Sequence, residues 1–159
     1  MSIEDLARKT VATLIDNGLH IATAESCTGG WIAKALVDIP GASLCLGYGI
    51  VSYSDEAKRK LLGVSAATLQ EHGAVSEAVV REMVEGVRQL SGADVAVAVS
   101  GIAGPDGGTD EKPVGTVWIA WSVKGIVDAE KFHFADSDRV GVREQTVIAA
   151  LGSLLQRVA

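Results

Sequence analysis

Asp94-Val95-Ala96-Val97-Ala98-Val99, running on into Ser100-Gly101-Ile102-Ala103-Gly104-Pro105-Asp106-Gly107-Gly108, is the stretch that decides the fold. Every position from Val95 to Val99 is apolar. A strand with one wet face would alternate apolar and polar residues; an unbroken apolar run fits a strand covered on both faces by helices. The Gly, Pro and Asp behind it read as a loop from Gly101 to Pro113. A structureless loop of that length is uncommon in a compact domain and tends to be functional. In open α/β sheets, ligands collect beyond the carboxyl ends of the strands, where this loop begins.

Outward from that strand, helical and extended patterns alternate. Ser2 and Asp5 form an N-cap pair, and Leu6, Ala7, Val11, Leu14 and Ile15 recur at helical spacing until Gly18. Leu19 to Ala24 reads as a short buried strand, and Trp31 to Val37 as a helix. Leu44 to Ser52 is β-rich, with Gly47 and Gly49 inside it, which predicts a bulge or a close backbone approach. Ser54 to Leu62 and Ala66 to His72 read as short helices, and Ser76 caps a longer one from Glu77 to about Leu90. Val114 to Val123 and Ile126 to Phe134 form a hairpin around Lys124-Gly125. Val140 to Val158 closes the chain as a helix. No repeat or linker interrupts the pattern. Strands alternating with helices, then a hairpin, predict a single α/β domain, a three-layer α/β/α sandwich with a mixed β-sheet.

The 159 residues fit one domain with one core, and 48% of them are apolar. The net charge is −6, and no basic run offers a footprint for nucleic acid. Two cysteines, Cys27 and Cys45, are too few for a disulfide scaffold, and their spacing matches no zinc motif. His20, His72 and His133 are scattered, and His20 and His133 fall in predicted strands, where packing is the expected role. A histidine triad, a metal centre and a cofactor are therefore not expected. The first residues show no charged-then-apolar signal, and no apolar run is long enough to span a bilayer. A cytoplasmic protein with no membrane partner is expected, and a homo-oligomer is compatible with the sequence.

Four segments carry candidate chemistry. Thr23-Ala24-Glu25-Ser26-Cys27-Thr28-Gly29-Gly30 sits where a strand ends and a helix begins, where unpaired N–H groups and the helix dipole favour an anion. The plain structural reading is an N-cap and a tight turn. The loop from Ser100 is the second candidate. In Tyr53-Ser54-Asp55-Glu56-Ala57-Lys58, the charged neighbours make Lys58 read as a surface residue when taken alone. In Asp136-Ser137-Asp138-Arg139, acids before a helix are ordinary capping. Arg139 opposes the dipole there unless an anion such as a phosphate faces it.

Thr-Ala-Glu-Ser-Cys-Thr-Gly-Gly at 23–30, Val-Ser-Tyr-Ser-Asp-Glu-Ala-Lys at 51–58, Gly-Ala-Val-Ser at 73–76, Ser-Gly-Ile-Ala-Gly-Pro-Asp-Gly-Gly at 100–108 and Glu-Lys-Pro-Val-Gly-Thr-Val at 111–117 resemble the CinA C-terminal domain family of competence/damage-inducible proteins. Its larger members carry a further N-terminal domain similar to molybdopterin-binding proteins, which these residues do not include. Its stand-alone members are bacterial nicotinamide mononucleotide deamidases. The resemblance implies hydrolysis of the carboxamide of nicotinamide mononucleotide to nicotinate mononucleotide and ammonia, in pyridine nucleotide recycling. It implies a nucleophile at Ser26, support from Tyr53 and Lys58, a hydroxyl at Ser100 and a phosphate-binding Arg139. Thr28, Gly29, Gly30, Gly101 and Gly104 are the expected substrate- or phosphate-binding positions of the two loops. Ser43 is implied by a Gly-Ser-Ser turn that here reads Gly41-Ala42-Ser43, so one hydroxyl is missing.

The chemistry is coherent. Serine needs a base, and without a suitable histidine the base is a lysine whose pKa is lowered by burial or positive neighbours. Tyr53 would relay the proton or orient the lysine. N–H groups at Gly29-Gly30 or in the Ser100-Gly101 loop would hold the oxyanion, and the sequence leaves open which loop takes the phosphate. It also leaves two nucleophiles. On intrinsic reactivity a Cys27 thiolate at a helix start would surpass a serine, while the resemblance assigns Ser26. The competing functional class is a non-catalytic nucleotide-binding module of the same fold.

Overall fold

The computed structural model describes residues 1–159. Five strands form one mixed sheet in the order β2-β1-β3-β4-β5. They are β1 (Ile21–Glu25), β2 (Leu46–Val51), β3 (Val95–Gly101), β4 (Thr116–Val123) and β5 (Ile126–His133). β1 runs parallel to both β2 and β3, and β4 and β5 add an antiparallel edge. Helices α1 (Ile3–Asp16), α2 (Trp31–Val37) and α6 (Arg139–Val158) cover one face. Helices α3 (Asp55–Leu62), α4 (Ala66–His72) and α5 (Glu77–Ser91) cover the other. This is the expected three-layer sandwich.

The central strand shows how the sequence builds the layers. Side chains alternate across a sheet, so Val95, Val97 and Val99 join the core beneath α1, α2 and α6, while Ala96 and Ala98 face α5. Ala22, Ala24 and Ala120 extend that alanine floor. Small side chains let α5 lie close to the sheet and send its own Val79, Val80, Met83, Val84 and Val87 into the core.

The glycines of β2 do what their position predicts. Ile21 pairs with Leu46 but Ala22 with Tyr48, so Gly47 is the extra residue of a bulge. A Cβ on Gly49 would stand 3.0 Å from that of Ala33, so this glycine lets α2 close on the sheet. The β4–β5 hairpin turns on Lys124 and Gly125, both at positive φ, as a two-residue turn of the favoured hand requires.

Strand ends differ from the sequence pattern by a residue or two, and two histidines are corrected. His20 lies outside β1, exposed, with its ring 3.8 Å from the Asp94 carboxylate. His133 ends β5, also exposed, and its Nε2 is 3.3 Å from the Val114 carbonyl. Apolar neighbours in sequence made both look packed; both sit at strand ends, where the sheet no longer covers them. No helix is long and apolar enough to cross a membrane.

Gly86 of α5 faces the last turn of α3, and a Cβ there would fall 1.9 Å from the Leu62 carbonyl oxygen. Alanine is worth about 1 kcal/mol over glycine in a helix interior, but a backbone oxygen cannot yield to that overlap. We expect Gly86→Ala to destabilise the domain, by about 2 kcal/mol net, lowering Tm by roughly 4–8 °C. A melting curve for Gly86→Ala at or above that of the parent would show that α3 and α5 are not in this contact.

Candidate active site

The sheet order reverses at β1: the chain passes from β1 to β2 on one side and returns to β3 on the other. The carboxyl ends of β1 and β3 form the switch point, where the two covering layers leave a crevice. A cleft of about 260 Å³ opens there, bordered by Ser26 and Cys27 after β1, Tyr53, Asp55 and Lys58 around α3, Ala74 and Val75 before α5, Ser100, Gly101 and Ala103 after β3, and Arg139 at the start of α6. A larger hollow of about 510 Å³ between α1 and α2 holds only the rim charges Glu4, Lys34 and Asp38, with Lys34 and Asp38 paired at 2.6 Å, and no nucleophile.

Lys58 is the residue the sequence pattern misplaced. It is 1% exposed. Ser54 caps α3 by accepting from the Ala57 N–H, which starts the helix one turn before Lys58 and turns that side chain toward the sheet. Its Nζ lies 2.9 Å from the Ser52 carbonyl, 3.1 Å from the Tyr53 carbonyl and 3.0 Å from Ser26 Oγ. Burial pushes the amine below the ordinary lysine value, with Asp55 pulling it back.

Ser26 extends beyond β1, its N–H donating to Val99 O at 3.1 Å, so both parallel strands fix it. Cys27 also borders the cleft, but its thiol is buried and its pKa is pushed up to about 12, first by desolvation and then by the Glu25 carboxylate. The lowering expected for a helix start does not operate: burial of the thiol outweighs it, and beside the thiol stands Glu25. Its side chain is 1% exposed and occupies the positive end of α2, accepting from the Thr28 hydroxyl at 2.5 Å, the Ile32 N–H at 2.8 Å and the Ala33 N–H at 3.0 Å. From the other side Arg143 donates to the carbonyls of Cys27 at 3.0 Å and Thr28 at 3.1 Å.

Thr28, Gly29 and Gly30 therefore belong to a turn held from within the protein, the Thr28 hydroxyl donating to Glu25, the Gly29 N–H to the Ser26 carbonyl and Arg143 to the Thr28 carbonyl. None of them borders the cleft. Gly29 and Gly30 take positive φ, and a Cβ on them would meet Arg143 and Val51 rather than open space for a ligand. The expected anion site at this helix end is filled by the protein's own carboxylate. Ser43 lies in a 3-10 turn (Ala42–Leu44) leading into β2. The parallel register sets that end of β2 beside Ile21, so Ser43 is at the opposite end of the sheet from Ser26.

In the second loop Ser100 and Gly101 border the cleft. A Cβ on Gly101 would stand 2.6 Å from a Val117 methyl, and one on Gly104, at φ +79°, 2.4 Å from a Val114 methyl. Both are glycine because the chain folds tightly onto β4. Arg139 donates to the Gly104 carbonyl at 2.8 Å and the Tyr53 hydroxyl at 3.1 Å, while Asp138 caps α6. Tyr53 thus serves Lys58 through its carbonyl and Arg139 through its phenol.

The structure brings together Ser26, Lys58, Tyr53, Ser100, Gly101 and Arg139, with Gly104 behind Arg139. Sequence reasoning missed Glu25, Arg143 and the Ser52 carbonyl. A lone acid at the end of a buried strand was the available signal for Glu25. No group of three His, Cys, Asp or Glu side chains is placed to hold a metal ion.

The model of the CinA C-terminal domain matches residues 3–158. Nicotinamide-nucleotide amidohydrolase PncC of Escherichia coli is 48% identical over 155 residues, covering 96% of this chain and 92% of that protein. A CinA-like protein of Akkermansia muciniphila is 51% identical over 150 residues, 94% of this chain but 36% of that longer protein. The chain thus spans about a third of some relatives and nearly all of others. Among solved structures, the competence damage-inducible protein A of Klebsiella pneumoniae superposes with a TM-score of 0.96 at 44% identity, over 99% of this chain and 98% of that one. Sequence, fold and cleft agree, and the chain belongs to the CinA C-terminal domain family.

Proposed function

We propose that this chain is a nicotinamide-nucleotide amidohydrolase that converts the carboxamide of nicotinamide mononucleotide to a carboxylate and ammonia. The observation that carries the reading is the buried Lys58 amine 3.0 Å from Ser26 Oγ. A neutral amine has two N–H donors and one lone pair. The carbonyls of Ser52 and Tyr53 take the two donors, and the lone pair then faces the serine hydroxyl.

From that arrangement, Ser26 gives its proton to Lys58 while its oxygen bonds to the carboxamide carbon. The N–H groups of Cys27 and Ala103, both cleft-lining residues without an acceptor in the protein, are assigned to the oxyanion. As the intermediate collapses, the C–N bond breaks and the Lys58 proton leaves with the nitrogen as ammonia. Water then hydrolyses the Ser26 ester by the same route, releasing the carboxylate and restoring the hydroxyl. Glu25 bars the phosphate from the α2 end, so we assign it to Arg139, whose guanidinium keeps further N–H groups free beyond Gly104 and Tyr53.

Incubation of the purified protein with nicotinamide mononucleotide should release ammonia and nicotinate mononucleotide in equal amounts; binding without ammonia would make the chain a nucleotide-binding module. Ser26→Ala should lose at least about a hundredfold in kcat. Cys27→Ser should keep most activity, because a thiol held near 12 supplies almost no thiolate at neutral pH. Rapid inactivation by iodoacetamide, prevented by substrate and absent in Cys27→Ser, would transfer the role to Cys27.

The reaction needs neutral Lys58, so kcat/KM should rise with pH along one limb whose apparent pKa lies below 10.5, the direction in which burial moves this amine. The same shift makes the unfolded chain the better proton binder. Its stability penalty is absent above 10.5, grows as pH falls and is complete below the folded value. Lys58→Arg stays charged, so activity and the limb should both disappear; a fully active Lys58→Arg enzyme would show that charge alone suffices.

Arg139→Ala should weaken nicotinamide mononucleotide by roughly 1.5–3 kcal/mol, seen mainly in KM. Nicotinamide riboside, without the phosphate, should be a poor substrate and almost insensitive to the change. Equal losses for the two substrates would remove Arg139 from the phosphate.

A further inference from the structure

We propose that Glu25 is a positioning residue for the nucleophile, holding the Ser26–Gly30 turn in its reactive geometry from inside the protein. The inference rests on the serine mechanism above. Glu25 is the last residue of β1 and Ser26 the next, so whatever fixes the Glu25 side chain fixes the exit direction of the nucleophile. Its two carboxylate oxygens gather three donors from positions 28, 32 and 33, tying the turn to the first residues of α2. Its backbone carbonyl accepts from the Ser52 N–H at 2.8 Å, and the Ser52 carbonyl in turn accepts from Lys58. One residue therefore links the strand that carries the nucleophile, the helix behind it and the strand end that holds the base.

The bracket has two sides of opposite charge. Glu25 collects the inward N–H and hydroxyl groups, and Arg143 collects the outward carbonyls of Cys27 and Thr28 while its guanidinium lies 5.5 Å from the centre of the Trp31 ring. A carboxylate suits the inner position because both of its oxygens accept. Glutamine keeps the shape but offers one accepting oxygen, so one of the three donors loses its partner. Only a small displacement of Ser26 Oγ is needed to show in the rate, since a shift of about 1 Å can cost on the order of a hundredfold in turnover.

The test uses Glu25→Gln, Thr28→Val and the double variant in the whole chain. Two readouts are taken: ammonia release from nicotinamide mononucleotide, and the rate at which a fluorophosphonate ester labels Ser26, followed by intact mass. We expect Glu25→Gln to lower kcat about tenfold or more with KM within about threefold, and to slow labelling in parallel. Thr28→Val should lower kcat by less, and the double variant should fall short of the product of the two effects, because both remove the same contact. A Glu25→Gln protein with lowered Tm but parental kcat and labelling rate would make Glu25 a helix cap only and overturn the proposal. If Glu25→Gln does not fold, parental kcat in Thr28→Val overturns it. Parental chain that is labelled but releases no ammonia would refute the substrate while leaving the positioning role to be decided by labelling. Parental chain that is neither labelled nor active would refute the serine mechanism and this inference together.

Discussion

Removing the Lys58 amine from water and giving it three oxygens is the constraint on which the site depends. An ammonium buried without compensation costs several kcal/mol, and a group in that position tends to shed its proton instead. Two backbone carbonyls at the end of β2 and the Ser26 hydroxyl are the compensation. Each comes from a different level of the fold. The carbonyls exist because the chain leaves β2 at Ser52 and Tyr53 before it re-enters a helix. The hydroxyl is there because β1 ends one residue earlier than Ser26. The lysine arrives from α3, which is seated by its contact with α5 at Gly86. A change in any of these three placements would leave the amine either hydrated or short of an acceptor.

Charge is distributed in the cleft by the same logic. The positive end of α2 looks from sequence like a place for a ligand phosphate, and in the folded chain Glu25 fills it. That single substitution of an internal anion for an external one has two effects. It adds to the burial that raises the neighbouring Cys27 thiol. It also leaves Arg139, which already donates to Gly104 and Tyr53, as the guanidinium that borders the cleft.

The glycines divide along similar lines. Gly101 and Gly104 border or adjoin the cleft, yet what forbids a side chain at each is a valine methyl, of Val117 in β4 and of Val114 just before it. The loop is narrow because it is packed, and its packing is what brings the Gly104 carbonyl to Arg139. The glycine-rich composition that marks a functional loop in the sequence is here a packing requirement that the function uses indirectly.

The sequence by itself determined the layers. Val95 to Val99 could only be a strand covered on both faces, the caps at Ser2, Ser54, Ser76 and Asp138 start helices where their side chains accept from the first turn, and Lys124-Gly125 closes a hairpin. These are local matters, settled by side-chain periodicity and by hydrogen bonds spanning a few residues. Through its resemblance to the CinA C-terminal domain family, it also grouped Ser26, Ser100, Tyr53, Lys58 and Arg139 as candidates. Only the tertiary structure decided which of these groups meet. Lys58 lies in a charged run that reads as solvated, and is buried because α3 turns it toward a strand end 32 residues away in sequence at Ser26. Ser43 carries a suitable hydroxyl, but parallel pairing of β1 and β2 puts the start of β2 at the wrong end of the sheet. Glu25 and Arg143 were not singled out because, the Thr28 hydroxyl apart, their hydrogen-bond partners are backbone groups, and no sequence displays which N–H or carbonyl a turn will leave unpaired. Burial and the aim of backbone polar groups are products of long-range packing, and those are the quantities that set the chemistry here.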